Sequence, residues 1–283
     1  MRKQRLCIGL LMGMLAVVPF HTTAFAVINS DDLLVKDEGY VIEGDGYTAK
    51  VAWCKEGEAQ IFGRIYYPAS FDENQKYTTV VICHGGKLTC DFQDKYFAAE
   101  LARRGYLCYV FDCRSATDAG RGSYSTPLDS GEADGVSYTR DFEAALGYTK
   151  SLSFVDQDNI YLFGQSLGGI AAESTGSKHS EDIAGLIVLY GCLSDNLADR
   201  LADYEDVKAN PYENGEVLFI QGIVDEFNTE SDVIENMSWY EESSLMLLSN
   251  APHGFGYMKD RPAEICVDTI DDFIQRTSEK EEN

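Results

Sequence analysis

Basic side chains are scarce in this chain of 283 residues: 23 Lys and Arg stand against 47 Asp and Glu, a formal net charge of −24. A surface of that sign repels phosphate backbones and anionic headgroups, which argues against nucleic acid and lipid surfaces as partners. Long apolar runs are missing after Phe20, so no later stretch reaches the roughly 18 to 20 apolar residues that cross a bilayer, and no stable membrane association is expected. Cys-x-x-Cys spacing, metal-ligand motifs and nucleotide-binding loops are all absent, so no metal and no cofactor is implied. Neither an internal repeat nor a dividing linker interrupts the sequence. Histidine is rare as well. Beyond His21 there are only His84, His179 and His253, so any imidazole chemistry falls to one of these.

What is present begins with an N-terminal pattern. Arg2, Lys3 and Arg5 precede an apolar run from Leu6 to Phe20, and Ala24-Phe25-Ala26 closes it. This predicts a cleavable export signal over residues 1–26 and one domain over 27–283, in a secreted, periplasmic or cell-surface bacterial protein. Cys7 precedes the apolar run, which argues against lipid modification at a cleavage site. Seven cysteines remain: Cys54, Cys83, Cys90, Cys108, Cys113, Cys192 and Cys266. An odd number leaves at least one unpaired. Cys83, Cys108 and Cys192 lie in or beside strand-like runs, so most are expected as buried thiols, as befits an oxygen-poor habitat.

Along the chain, residues 27–46 read as an acidic lead-in. Tyr47 to Trp53 and Ala59 to Tyr67 read as an antiparallel hairpin, and Thr78 to Cys83 as a strand apolar on both faces. Strand-like and helix-like stretches then alternate: a helix from Phe92 to Arg104, a strand at Tyr106 to Phe111, a long loop to Val136, and a helix through Tyr138, Phe142 and Leu146. Further strands are expected at residues 160–163, 183–189, 217–220 and 245–248. Helical stripes are expected at Leu197, Leu201 and Tyr204, at Val233, Ile234, Met237 and Tyr240, and at Cys266, Ile270, Phe273 and Ile274. That alternation predicts a mostly parallel sheet covered by helices on both faces.

The chemistry centres on Gly164-Gln165-Ser166-Leu167-Gly168-Gly169. A strand ends before Ser166 and a helix opens after it, so the hydroxyl stands on a sharp turn that glycines at 164 and 168 leave room for. A serine hydroxyl becomes a useful nucleophile only when a base takes its proton. His253 follows the last strand and can reach over the carboxyl edge of the sheet, where open α/β sheets place ligands. His179 has polar loop neighbours, and His84 directly precedes Gly85-Gly86, which favours a structural or oxyanion-loop role for it. For the carboxylate that orients the base, Asp225 follows its own strand, with Glu226 and Asp112 as competitors. The backbone N–H groups of Gly86 and Leu167 are the expected oxyanion donors; losing one such donor costs about 2.7 to 4 kcal/mol in comparable enzymes. Tyr124, Tyr190, Phe227, Trp239 and Phe255 are candidate pocket walls.

His84-Gly85-Gly86, the serine motif, Asp225 and His253, in that order, resemble the α/β-hydrolase family over about residues 59–275. Within it the chain is similar to small bacterial feruloyl and cinnamoyl esterases, and more loosely to dienelactone-hydrolase-like and prolyl-oligopeptidase-like proteins. The resemblance implies hydrolysis of a small-molecule or carbohydrate-linked ester, aromatic acyl esters among them, through an acyl-enzyme on Ser166. Two departures stand out: the stretch 193–216 leaves little room for a cap, and Gly86 replaces a bulkier residue. A serine peptidase on the same scaffold, and a non-catalytic binding protein, are the competing readings.

Overall fold

The computed structural model describes residues 41–57, 59–86, 89–90, 94–113, 135–195, 198, 203–255 and 261–278. The expected export signal, and Tyr124, Leu197 and Leu201, lie outside these residues.

Nine strands form one sheet: β1 Val41–Gly44, β2 Tyr47–Glu56, β3 Ala59–Pro68, β4 Tyr77–Cys83, β5 Leu107–Phe111, β6 Val155–Gln165, β7 Gly185–Leu189, β8 Glu216–Gly222 and β9 Ser243–Leu248. Their order is β1-β2-β3-β5-β4-β6-β7-β8-β9. Pairing is antiparallel from β1 to the β3–β5 contact. From β5 through β4, β6, β7 and β8 to β9 it is parallel. The helices are α1 Asp94–Arg103, α2 Gly135–Lys150, α3 Leu167–Lys178, α4 Tyr204–Ala209, α5 Glu230–Met237 and α6 Arg261–Ser278.

Successive side chains of a strand point to opposite faces, and the central strands use both. In β6, Ile160 and Leu162 join the core beneath Phe142 of α2 and Ala171 of α3. Tyr161 and Phe163 enter the opposite core with Phe97 of α1 and Phe273 of α6. Phe97 meets Phe163 edge to face at 5.1 Å, an arrangement that adds about 0.5–1.5 kcal/mol beyond burial. A run that is apolar at every position is the consequence of two covered faces. Cys54, Cys83, Cys90, Cys108, Cys113, Cys192 and Cys266 are all buried, and none of them is in a disulfide. Among the described residues no helix is long and apolar enough to cross a membrane.

Three local expectations are corrected. The lead-in ends in a strand, because Asp45-Gly46, with Gly46 at φ +79°, makes a two-residue turn that folds β1 back on β2. The strand before Ser166 starts at Val155 instead of residue 160, since Val155 pairs with Tyr77 across an irregularity in the β4–β6 ladder. On α5, Val233 is buried but Ile234 is 59% exposed, and Asp232 and Asn236 take the inward positions. Between β7 and β8 the one α-helix among the described residues is the six-residue α4, in keeping with a reduced cap.

Candidate active site

The turn between β6 and α3 is held by contacts that only glycines permit. A Cβ at Gly164 would lie 2.0 Å from the carbonyl oxygen of Gly168, and one at Gly168 would lie 2.4 Å from that of Cys83. Ser166 itself adopts φ 52° and ψ −121°, a conformation that costs a non-glycine residue about 1–3 kcal/mol unless its surroundings impose it. Here the Ser166 N–H donates to Leu189 O at 2.9 Å, and Ser166 O accepts the Gly169 N–H at 2.8 Å. Gly191, not singled out by its sequence context, passes so close that a Cβ there would sit 2.0 Å from Ser166 O.

Ser166 Oγ lies 2.9 Å from Nε2 of His253. On the other side of the ring, Nδ1 lies 2.9 Å from Oδ2 and 3.1 Å from Oδ1 of Asp225. A carboxylate only accepts, so Nδ1 carries the proton and Nε2 is left with a lone pair facing the serine O–H. Burial pushes the Asp225 carboxyl up, but hydrogen bonds from His253 and from the N–H groups of Asn228 and Phe227 outweigh it, and its pKa falls below the usual value. The two backbone bonds measure 3.0 and 2.8 Å, and Gln221 Nε2 donates to Oδ2 at 2.9 Å. The turn that carries Asp225 ends in a capping box in which Thr229 and Asp232 satisfy each other's N–H groups. The same end is tied further by Asn228, whose Nδ2 donates to Cys192 O at 3.2 Å.

The remaining expected residues are distributed as follows. Glu226 is exposed and accepts the backbone N–H of His253 at 3.2 Å, so it supports the histidine loop without touching the ring nitrogens. Asp112 accepts the Cys90 N–H at 2.8 Å, and burial raises its carboxyl to about 6. His84 is fully buried, with Nδ1 2.7 Å from Gly85 O and Nε2 accepting the Cys113 N–H at 3.0 Å; its ring ties the loop after β4 to the residues that follow β5. His179 closes α3, 3.5 Å from Asp182. Leu167 begins α3, so its N–H has no acceptor within the helix. Gly86 neighbours it: a Cβ at 86 would meet Leu167 side-chain atoms at 3.7 and 3.9 Å, ordinary contacts, so the absence of a side chain there is not sterically required.

The aromatic expectations divide. Tyr190 and Phe255 are each 1% exposed and pack on one another at 5.0 Å, with Tyr190 edge-on to His253 at 5.1 Å. Tyr190 thus backs the imidazole and Phe255 backs Tyr190, both within the core, and neither walls an open pocket. Trp239 packs edge-on to Tyr204 at 5.8 Å, in the cluster around Ile170 and Leu193. Phe227 is 64% exposed with its ring 4.8 Å from that of His253.

Sequence reasoning also missed Gln221, Asn228 and Glu173. The signal for Gln221 was an amide directly after the apolar run Val217 to Ile220 of β8; for Glu173 it was a charge beside two alanines on α3. Glu173 is fully buried, accepting the Leu193 N–H at 2.8 Å and the Tyr240 O–H at 2.6 Å. Burial, opposed by these hydrogen bonds, raises its carboxyl from 4.5 to about 7. The folded chain therefore binds a proton that the unfolded chain releases, and the associated stability is full below 4.5 and is lost as pH rises to about 7. Glu173→Gln, neutral throughout, is expected to flatten the decline of Tm across that interval; thermal melts at matched ionic strength check it, and an unchanged slope rejects the assignment.

Among the described residues, no group of three or more His, Cys, Asp or Glu side chains could hold a metal ion.

A mostly parallel sheet with its antiparallel N-terminal edge, helices on both faces and a serine on the turn after β6 define a class of fold: the chain has the α/β-hydrolase fold. Residues 74–206 match the family described as serine aminopeptidase, S33, a span that contains Ser166 but ends before Asp225 and His253. The quorum-quenching protein AidA of Acinetobacter baumannii is 32% identical over 90 residues, which cover 32% of this chain and 28% of AidA. The matched segments thus span about a third or less of the curated relatives' length. Est1E from Butyrivibrio proteoclasticus superposes with a TM-score of 0.63 at 16% identity, covering 80% of this chain and 98% of that one. A dienelactone hydrolase-like promiscuous phosphotriesterase from metagenomic libraries gives a TM-score of 0.62 at 16% identity, covering 83% and 99%.

Proposed function

We propose that the chain is a serine hydrolase of carboxylic esters, exported under the direction of residues 1–26. The observation that carries the reading is the continuous hydrogen-bonded line from Ser166 Oγ through the His253 ring to the Asp225 carboxylate, with both links at 2.9 Å. In the first half-reaction His253 Nε2 takes the serine proton as Oγ bonds to the ester carbonyl carbon. The ionised Asp225 stabilises the imidazolium that results. Negative charge on the former carbonyl oxygen is met by the N–H groups of Leu167 and Gly86. Collapse breaks the bond to the alcohol oxygen, which leaves with the proton from Nε2. Water then attacks the acyl-enzyme by the same path in reverse roles, releasing the acid and restoring the serine. Aromatic acyl esters such as feruloyl esters are candidate substrates, supported by the resemblance of the motifs, while the reduced cap favours a wider range of esters.

A peptidase reading is favoured by one observation, the aminopeptidase family match over residues 74–206. Parallel assays on short-acyl and feruloyl esters and on aminoacyl amides separate the two. Ester turnover is expected to dominate; amide turnover exceeding it assigns the chain to the peptidases, and neither, in folded protein, to the binding proteins.

A further inference from the structure

Two rings flank the imidazole of His253, and they differ in exposure. Tyr190 is 1% exposed and its hydroxyl is committed to Gln165 Oε1 at 3.0 Å. Phe227 stands 64% open to solvent although its ring is packed at 4.8 Å and 66° against that of His253. It does not stand alone. The turn of residues 223–227 buries Asp225, while Ile223 and Val224 are 45% and 51% exposed, and with Phe227 they make three of the five large hydrophobic side chains exposed among the described residues. Scattered exposed apolar side chains are ordinary on a protein surface, but three within five residues, next to the proton-transferring group, form a patch.

The fold leaves Phe227 no choice of place. Asp225 must point inward to reach Nδ1, its Oδ1 accepts the N–H groups of Phe227 and Asn228, and Asn228 is pinned to Cys192 O. A residue whose backbone N–H is bound to the carboxylate cannot carry its side chain far from the ring that the same carboxylate holds.

Chemistry decides which part of a substrate would meet it. The proton taken by Nε2 is handed to the oxygen of the departing alcohol, so that oxygen lies within hydrogen-bond reach of the imidazole, and the first carbons of the alcohol lie beside whatever flanks the ring. The acyl carbon, by contrast, is bonded to Ser166 Oγ and its oxygen is directed to the N–H groups of α3 and the loop after β4. We infer that Phe227 forms the subsite for the alcohol portion of the ester, and that this portion is apolar or aromatic and not a sugar or another polyol. The inference rests on the ester-hydrolase reading and extends it to the leaving group. A neutral apolar alcohol also suits a chain whose net charge of −24 disfavours anionic ones.

The test uses butyrate esters of methanol, butanol, benzyl alcohol and glycerol with the full-length protein. kcat/KM reports acylation, the half-reaction in which the alcohol is still bound, so the acyl group is common and only the alcohol varies. The wild type is expected to prefer benzyl and butyl over methyl and glyceryl esters. Phe227→Ala is expected to lower the benzyl-to-methyl ratio of kcat/KM by about tenfold, the scale of discrimination an apolar contact supplies, and Phe227→Leu to restore part of it. A wild type that hydrolyses these esters with no preference among the alcohols, or a ratio that Phe227→Ala leaves unchanged while all rates fall together, overturns the subsite. The second outcome would make Phe227 a positioning residue for His253. A wild type that hydrolyses none of them, or any other ester, contradicts the hydrolase reading itself, which is a different failure.

Discussion

Asp225→Asn is expected to lower kcat/KM on a carboxylic ester by about ten-thousand-fold with folding retained, whereas Glu226→Gln stays within about tenfold of the wild type. Asparagine has the shape of aspartate, so the bonds that Oδ1 accepts from Phe227 and Asn228, at 2.8 and 3.0 Å, can persist on the amide oxygen. What changes is the second position. An amide N–H now faces Nδ1, which must become the acceptor, and the imidazole proton moves to Nε2, where the serine needs a lone pair. Glu226 contributes a carboxylate oxygen to the His253 backbone N–H, and a glutamine oxygen can accept the same bond. Steady-state kinetics on both variants, with melting temperatures to establish folding, check the pair; the opposite ranking would move the orienting acid to Glu226.

The second large effect comes from a residue that bears no reactive group. Gly191→Ala would place a methyl carbon 2.0 Å from Ser166 O and 2.6 Å from its carbonyl carbon. Neither is a flexible side-chain end, so the backbone carrying Ser166 must move. A displacement of about 1 Å at a reacting group costs on the order of a hundredfold in rate, and the variant is expected to lose at least about that much. Loss of stability is expected alongside, because Ser166 O also accepts the first N–H bonds of α3. Circular dichroism separates the two: a folded variant with wild-type turnover would mean that the turn tolerates crowding at this point.

These two variants also mark what the sequence could and could not announce. Ser166, Asp225 and His253 were legible because each follows a strand and because histidine is so rare that one candidate alone stood beyond the last strand. The glycines of the serine turn were legible from their spacing. Gly191 was not, since its role depends on β7 lying beside β6, a neighbour relation set by the whole sheet. Gln221 and Asn228 escaped for the same reason: their partners, Asp225 and Cys192 O, become neighbours only once the turn after β8 is folded. Aromatic residues near the site were visible, but burial divided them, sending Tyr190 and Phe255 into the core and leaving Phe227 exposed beside the imidazole. The first strand was hidden in an acidic lead-in whose only signal was Asp45-Gly46. Ile234 was misplaced because α5 is eight residues long and its inward face is set by the capping box at Thr229, not by an apolar stripe.

The account rests on one hydroxyl having been made nucleophilic by its neighbours. Intact-protein mass spectrometry after exposure to a fluorophosphonate, followed by peptide mapping, measures that directly, because the probe phosphonylates a serine only where a base removes its proton. The expected result is a single adduct on Ser166 that is absent after Ser166→Ala. A folded protein that acquires no adduct, or acquires it at another residue, would contradict the account.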